Sequence, residues 1–132
     1  MTVPLIRAER LYDQVPYAYA AIARPGDLVF TAGACPLDED GLIVAPGDVG
    51  LQAVANLAEA LRAAGSSLTD VLKTTIYVAS ADQGDLVTAW EVIRSAFGEH
   101  DAPSTLLGVT VLGWNGQLVE IEAVAVVPAP PA

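Results

Sequence analysis

Cysteine and histidine occur once each, as Cys35 and His100, so the 132-residue chain can close no internal disulfide and offers no Cys/His spacing for zinc. Positive charge is equally scarce. Six Lys plus Arg, with Lys73 the sole lysine, face sixteen Asp plus Glu, and the net charge of −10 repels phosphate backbones, so nucleic acid is not expected as a partner. Long apolar runs are missing too: no stretch of eighteen apolar residues occurs, and Met1 to Arg10 has no apolar h-region. Neither a membrane span nor a secretory signal is expected, and a cytoplasmic location follows.

What is present in excess is apolar material, 53% of the residues. A length of 132 residues fits one domain, 1–132, whose surface-to-volume ratio leaves much of that material without a core to enter. Burial between subunits accounts for it, and the competing explanation is an alanine-rich composition that inflates the count.

Leu5 to Leu11 and Tyr17 to Ala23 read as short strands, and Arg24-Pro25-Gly26-Asp27 as a hairpin turn into a third, Leu28 to Thr31. Cys35-Pro36 ends regular pairing and 38–47 is a polar loop. From Asp48 the period changes: Leu51, Val54, Leu57, Ala58 and Leu61 recur at helical spacing, and Gly65 closes the helix. Val71 to Val78, β-branched and aromatic, predicts a central strand. Leu86, Trp90, Ile93 and Phe97 predict a second helix ending near Gly98. Thr105 to Leu112 and Gln117 to Val127 read as two strands of a hairpin turned at Gly113-Trp114-Asn115-Gly116. The order βββαβαββ predicts an α+β fold in which each helix is a crossover between parallel strands, two helices cover one sheet face, and the other face is apolar and buried between copies. The terminal Pro-Ala-Pro-Pro-Ala reads as a fraying tail.

Several blocks, in order and spacing, resemble the YjgF/RidA family: Tyr17; Leu28-Val29-Phe30-Thr31-Ala32-Gly33 with Pro36-Leu37-Asp38; Asn56-Leu57; Ala64-Gly65; Asp70-Val71-Leu72-Lys73-Thr74-Thr75; Phe97-Gly98; Pro103; and Val119-Glu120-Ile121-Glu122-Ala123. The resemblance implies a chorismate-mutase-like homotrimer with three clefts between subunits. It also implies cofactor-free hydrolysis of 2-imino acids to 2-keto acids and ammonia. In that family an arginine in a Pro-Ala-Arg-Ser segment holds the substrate carboxylate, and the glutamate matched by Glu120 serves, with a water, the addition to the imine carbon. Tyr17 matches a further site position.

The overlay departs from the family at the carboxylate clamp, where Pro103-Ser104-Thr105-Leu106 puts Thr105 in place of the arginine. A hydroxyl offers one donor and no charge where a guanidinium offers a bidentate fork. Ala32 replaces a serine before Gly33, Leu107 a frequent cysteine, and Trp90 the helix asparagine, which together imply a more apolar cleft. Backbone groups near Gly33 and Leu107 would orient the ligand.

Each of these residues also has a plainer role. Glu120 and Glu122 share strand parity and fit a solvated sheet face as well as an acid/base pair; the resemblance assigns the chemistry to Glu120 and leaves Glu122 structural. Tyr17 can donate to a ligand or cap a strand end, Thr105 can orient a ligand or simply pack, and Trp90 lies on the core stripe of its helix. Trp114 reads as an exposed loop residue able to cap a neighbouring subunit's cleft, Cys35 as inert, His100 as a surface-loop residue rather than a dyad with Asp101, and Lys73 as a surface amine. Three functions stand as expectations: an imine or enamine deaminase with an altered cleft, a non-catalytic small-molecule-binding or regulatory trimer, and an endoribonuclease.

Overall fold

The computed structural model describes residues 3–37, 40–41 and 49–128. The predicted polar loop, apart from 40–41, and the tail beyond Pro128 lie outside them. Strands β1 (Leu5–Ile6), β2 (Ala20–Ala21) and β3 (Asp27–Phe30) precede helix α1 (Val49–Ala63). A 3-10 turn at Leu68–Asp70 leads into β4 (Val71–Val78), followed by α2 (Gln83–Phe97), β5 (Ser104–Gly108) and β6 (Val119–Val127). The βββαβαββ order is therefore observed, with shorter first strands than the sequence predicts.

Pairing follows burial more than proximity along the chain. The main sheet runs β3-β6-β4-β5, and β1 and β2 pair only with each other. Two predicted hairpins are thus corrected. The turn at Arg24 to Asp27 does not join two paired strands: β3 pairs antiparallel with β6, and a Cβ at Gly26 would come 2.8 Å from the Val127 carbonyl oxygen, so this glycine permits the close approach of the two strand ends. The Asn115-Gly116 turn does not pair β5 with β6 either, because β4 lies between them, parallel to β5 and antiparallel to β6. That turn closes on itself through Gln117 N–H donating to the Trp114 carbonyl at 3.0 Å. Residues Val109 to Leu112 then carry the chain away from the edge strand.

Helix α2 is the crossover between adjacent parallel strands β4 and β5, whereas α1 joins β3 to β4 with β6 inserted between them. Asp82 caps α2, its side chain accepting from Gly84 N–H at 2.8 Å. Gly65 (φ +83) follows α1 in the left-handed conformation that frees the chain to turn into the sheet. Both helices pack on one sheet face, burying Ala53, Val54, Leu57, Leu61, Ala89 and Ile93 against Val71, Ile76, Val119, Ile121, Ala123 and Ala125. Leu51 departs from its predicted place. The inward stripe of α1 runs through Gly50, Ala53, Val54, Leu57 and Leu61, and one residue's rotation from Gly50 leaves Leu51 outward and 54% exposed.

The opposite face is uncovered in the single chain, but it is mixed rather than apolar. Strand parity places Leu28, Phe30, Leu107 and Val124 there beside Lys73, Thr75, Tyr77, Thr105, Glu120 and Glu122. Phe30, 73% exposed, dominates its apolar part.

Because Leu57 is fully enclosed and Leu51 is not, Leu57→Ala should lower unfolding free energy by about 2–5 kcal/mol and Leu51→Ala by no more than about 0.5 kcal/mol. Urea unfolding at one fixed protein concentration measures both.

Candidate functional site

The alternation of β6 separates its residues by role. Val119 and Ile121 point into the core, so Glu120 and Glu122 must point to the open face. Register then extends each carboxylate into a row across the sheet: Glu120 opposes Tyr77, which opposes Leu107, and Glu122 opposes Thr75, which opposes Thr105. The Tyr77 hydroxyl donates to Glu122 Oε1 at 2.6 Å. That bond, with burial and the charges of Glu122 and Glu120, raises the Tyr77 pKa above its ordinary value. Glu122 is thereby occupied as a partner of Tyr77, in keeping with a structural role.

Glu120 is set by an irregularity in the neighbouring strand. Phe30 opposes Val124, yet Ala34 opposes Ile121, so four steps on one side match three on the other. The extra residue is a bulge at Ala32-Gly33, the device by which sheets re-aim side chains. It brings Gly33 against the Glu120 carboxyl group so closely that a Cβ there would overlap it. Helix α1 fixes the segment beyond the bulge: Asn56 Nδ2 donates to the carbonyls of Cys35 at 2.6 Å and Leu37 at 2.9 Å, while Gln52 Nε2 donates to Asn56 Oδ1 at 2.9 Å.

From the described residues the carboxylate receives two donors, both on the same oxygen. Gln117 Nε2 donates to Glu120 Oε1 at 3.3 Å and the Cys35 thiol donates to it at 3.5 Å. Oε2 lies beside Gly33 and accepts no hydrogen bond from the described residues. Burial first, and then the bond to Glu120 and its charge, raise the Cys35 pKa, while Gln117 and Trp114 pull in the other direction. Cys35 is therefore held as a neutral thiol at the site, a donor and not a thiolate nucleophile. Trp114, 53% exposed as the sequence suggests, stands beside the Cys35 of its own chain.

The remaining predicted site residues fall into two groups. Thr105 and Leu107 are exposed on the open face of β5, in the rows of the two glutamates, and Ala32 is exposed at the bulge. Tyr17 and Trp90 lie on the helix side, ring centroids 6.3 Å apart in an edge-to-face contact. Trp90 is half-buried against the core, as the periodicity of its helix predicts. The open face and the helix side each hold a recess. One of about 280 Å³ is lined by Phe30, Lys73, Thr75 and Glu122, and one of about 380 Å³ by Pro16, Trp90, Glu91 and Arg94. One chain thus brings Glu120 to Gly33 but does not bring Tyr17 or Trp90 to either.

His100 is half-buried, not a free surface residue: its Nε2 lies 2.7 Å from the Val71 carbonyl, anchoring the start of β4. Asp101 turns instead to Arg94 at 3.3 Å, so no His100-Asp101 dyad forms. Lys73 is exposed on the open face. Among the described residues no cluster of His, Cys, Asp and Glu could hold a metal ion. Neither Asn56, which enters only within a block of the resemblance, nor Gln117 is among the predicted site residues; the one signal for Gln117 is an amide two residues before an apolar-alternating Glu strand, which is weak.

Two outcomes follow from this geometry. Cys35 should react with iodoacetamide at pH 8 more slowly than a free cysteine, and Glu120→Gln should accelerate it by removing the charge that holds the proton on sulfur. Gly33→Ala should displace the Glu120 side chain, observable as a shifted carboxyl resonance in a protein whose helical circular dichroism is retained.

A family model described as Endoribonuclease L-PSP matches residues 8–127. A RutC family protein of Pyrococcus horikoshii is 34% identical over 110 residues, 81% of this chain and 85% of the relative. A protein of Rattus norvegicus named 2-iminobutanoate/2-iminopropanoate deaminase is 32% identical over 112 residues, 83% of this chain and 80% of its own length. Among solved structures, a conserved Rid family protein of unknown function from Yersinia pestis superposes with a TM-score of 0.82 at 28% identity, covering 96% of this chain and 99% of the other. The YjgF gene product of E. coli gives 0.67 at 28% identity over 84% and 87%. Family match, relatives and superposition agree: the chain belongs to the YjgF/RidA family.

Proposed function

We propose that the protein is a cofactor-free deaminase that hydrolyses a C=N bond or its enamine tautomer to a carbonyl and ammonia, in a cleft completed by a second copy of the chain. The observation that carries this reading is the one-sided anchoring of Glu120 by the described residues: Gln117 and Cys35 both donate to Oε1, and Oε2 lies beside Gly33. A carboxylate held through one oxygen keeps the other directed for taking a proton from water. Water adds through oxygen to the imine carbon and its proton passes to Oε2. Glu120 returns that proton to nitrogen, and the carbinolamine then collapses, the hydroxyl proton following the departing ammonia as the C=O bond forms. The relatives named 2-iminobutanoate/2-iminopropanoate deaminase support the reaction class.

The substrate differs from theirs in one respect. Thr105 stands exposed in the row of Glu122 with no charge of its own, and from Ala102 to Val119 no side chain is charged. A substrate carboxylate would find no fork there, so the ligand is a neutral imine or enamine with an apolar flank to lie against Leu107 and Trp114. Tyr17 and Trp90 reach such a ligand only from a neighbouring chain, and the exposed Phe30 and Leu28 give that neighbour an apolar surface to bury, consistent with a cytoplasmic homotrimer. The same arrangement serves a binding or regulatory trimer equally well if turnover is absent, and Thr105 in place of arginine is what favours that second reading. RNA cleavage is disfavoured by the net charge of −10.

Glu120→Gln should abolish hydrolysis across a panel of neutral imines and enamines followed by ammonia release, while sedimentation equilibrium still reports three copies. If wild type consumes none of the panel but is stabilised by panel members in thermal shift, the binding reading replaces the enzymatic one. Thr105→Arg should raise 2-iminobutanoate hydrolysis by about 100-fold, the value of a restored bidentate carboxylate contact.

A further inference from the structure

Only three polar or charged residues are buried among the described ones: Asp70, Thr74 and Gln117. Gln117 is 3% exposed and lies beside the site, three residues before Glu120. A buried amide is costly unless each of its hydrogen-bonding groups is used. In this chain its oxygen accepts the Trp114 N–H at 3.1 Å, and its nitrogen donates to the Val119 carbonyl at 3.1 Å and to Glu120 Oε1 at 3.3 Å. Its backbone N–H closes the turn on the Trp114 carbonyl at 3.0 Å. One side chain therefore ties an exposed indole-bearing turn, the first residue of β6 and the site carboxylate together. The amide orientation is fixed by chemistry: exchanging its oxygen and nitrogen would face N–H against N–H at Trp114 and oxygen against oxygen at Val119 and Glu120.

We propose that Gln117 is a positioning residue for Glu120, its buried amide locking the Trp114 turn and the carboxylate into one register so that Oε2 faces the ligand. The proposal rests on the reading of Glu120 as the proton carrier, yet it makes a claim about the carboxylate that can be tested without turnover. The donor on Oε1 fixes the orientation of the carboxylate, so its removal displaces the group and shifts its carboxyl resonance. The other titratable groups facing Glu120 are the Cys35 thiol from the segment after β3 and the Tyr77 phenol from β4, with Glu122 one residue pair further along β6.

The experiment uses the full-length protein labelled with 13C at glutamate carboxyls and with 5-fluorotryptophan. The Glu120 resonance is identified by its loss in Glu120→Gln, and the Trp114 signal by its loss in Trp114→Phe. In Gln117→Met, of similar size but without donor or strong acceptor, the Glu120 carboxyl resonance should shift, the Trp114 fluorine signal should move, and turnover should fall by about 100-fold, the effect of displacing a catalytic group by about 1 Å. Gln117→Glu keeps an acceptor for the Trp114 N–H but replaces the donor with a like charge, so it should shift the Glu120 carboxyl resonance while leaving the fluorine signal near its wild-type position. This second variant decides the matter if the first fails to fold. A Glu120 carboxyl resonance unmoved in the folded variants overturns the proposal, whether or not the wild type turns over any imine. Conversely, a wild type without turnover in which the resonance moves as described retains Gln117 in its positioning role and removes only the hydrolytic reading.

Discussion

Strand β6 sits between β3 and β4, hydrogen-bonded on both sides, and its side chains have two directions available and no third. Val119, Ile121, Ala123 and Ala125 fill the helix-covered side, and slipping the strand by one residue would drive Glu120 and Glu122 into that core. The cost of burying two carboxylates there far exceeds that of any loop rearrangement, so the register of β6 is fixed and every other site residue is placed relative to it. The bulge at Ala32-Gly33 then adapts β3 to a partner that cannot move. Asn56 secures the bulge from the helix, and Gln117 secures the carboxylate from the preceding turn.

Much of this was legible before any coordinates. The periods of α1, α2, β4 and β6 are strong because each element buries one face, and burial writes itself into the sequence at intervals of 3.6 or 2. Parity alone put Glu120 and Glu122 on one face. The strand order was less accessible. Asn115-Gly116 is a good local turn signal, yet a local signal cannot say whether the flanking strands pair with each other, and here β4 offered β5 and β6 a better-buried partner than either offered the other. Leu51 was misplaced for a related reason: Gly50 has no side chain to announce that the inward stripe passes through it. The convergence of Gly33, Cys35, Gln117 and Glu120 was out of reach, since it depends on pairing between β3 and β6, segments at opposite ends of the chain.

The single chain divides the candidate site residues between its two sides. The open sheet face carries two carboxylates, the hydroxyls of Thr75, Tyr77 and Thr105, and apolar edge residues, while the helix side carries the Tyr17-Trp90 pair. In the proposed cleft the two sets meet only when copies associate, which makes occupancy of the site and the association state thermodynamically linked.

A carboxyl group in water has two equivalent oxygens, and a proton picked up by one is soon indistinguishable from a proton on the other. The pairing of Gln117 and Cys35 on Oε1 breaks that degeneracy. Glu120 has a front and a back, and in the proposed reaction whatever is protonated through it is approached from the side on which Gly33 has no side chain.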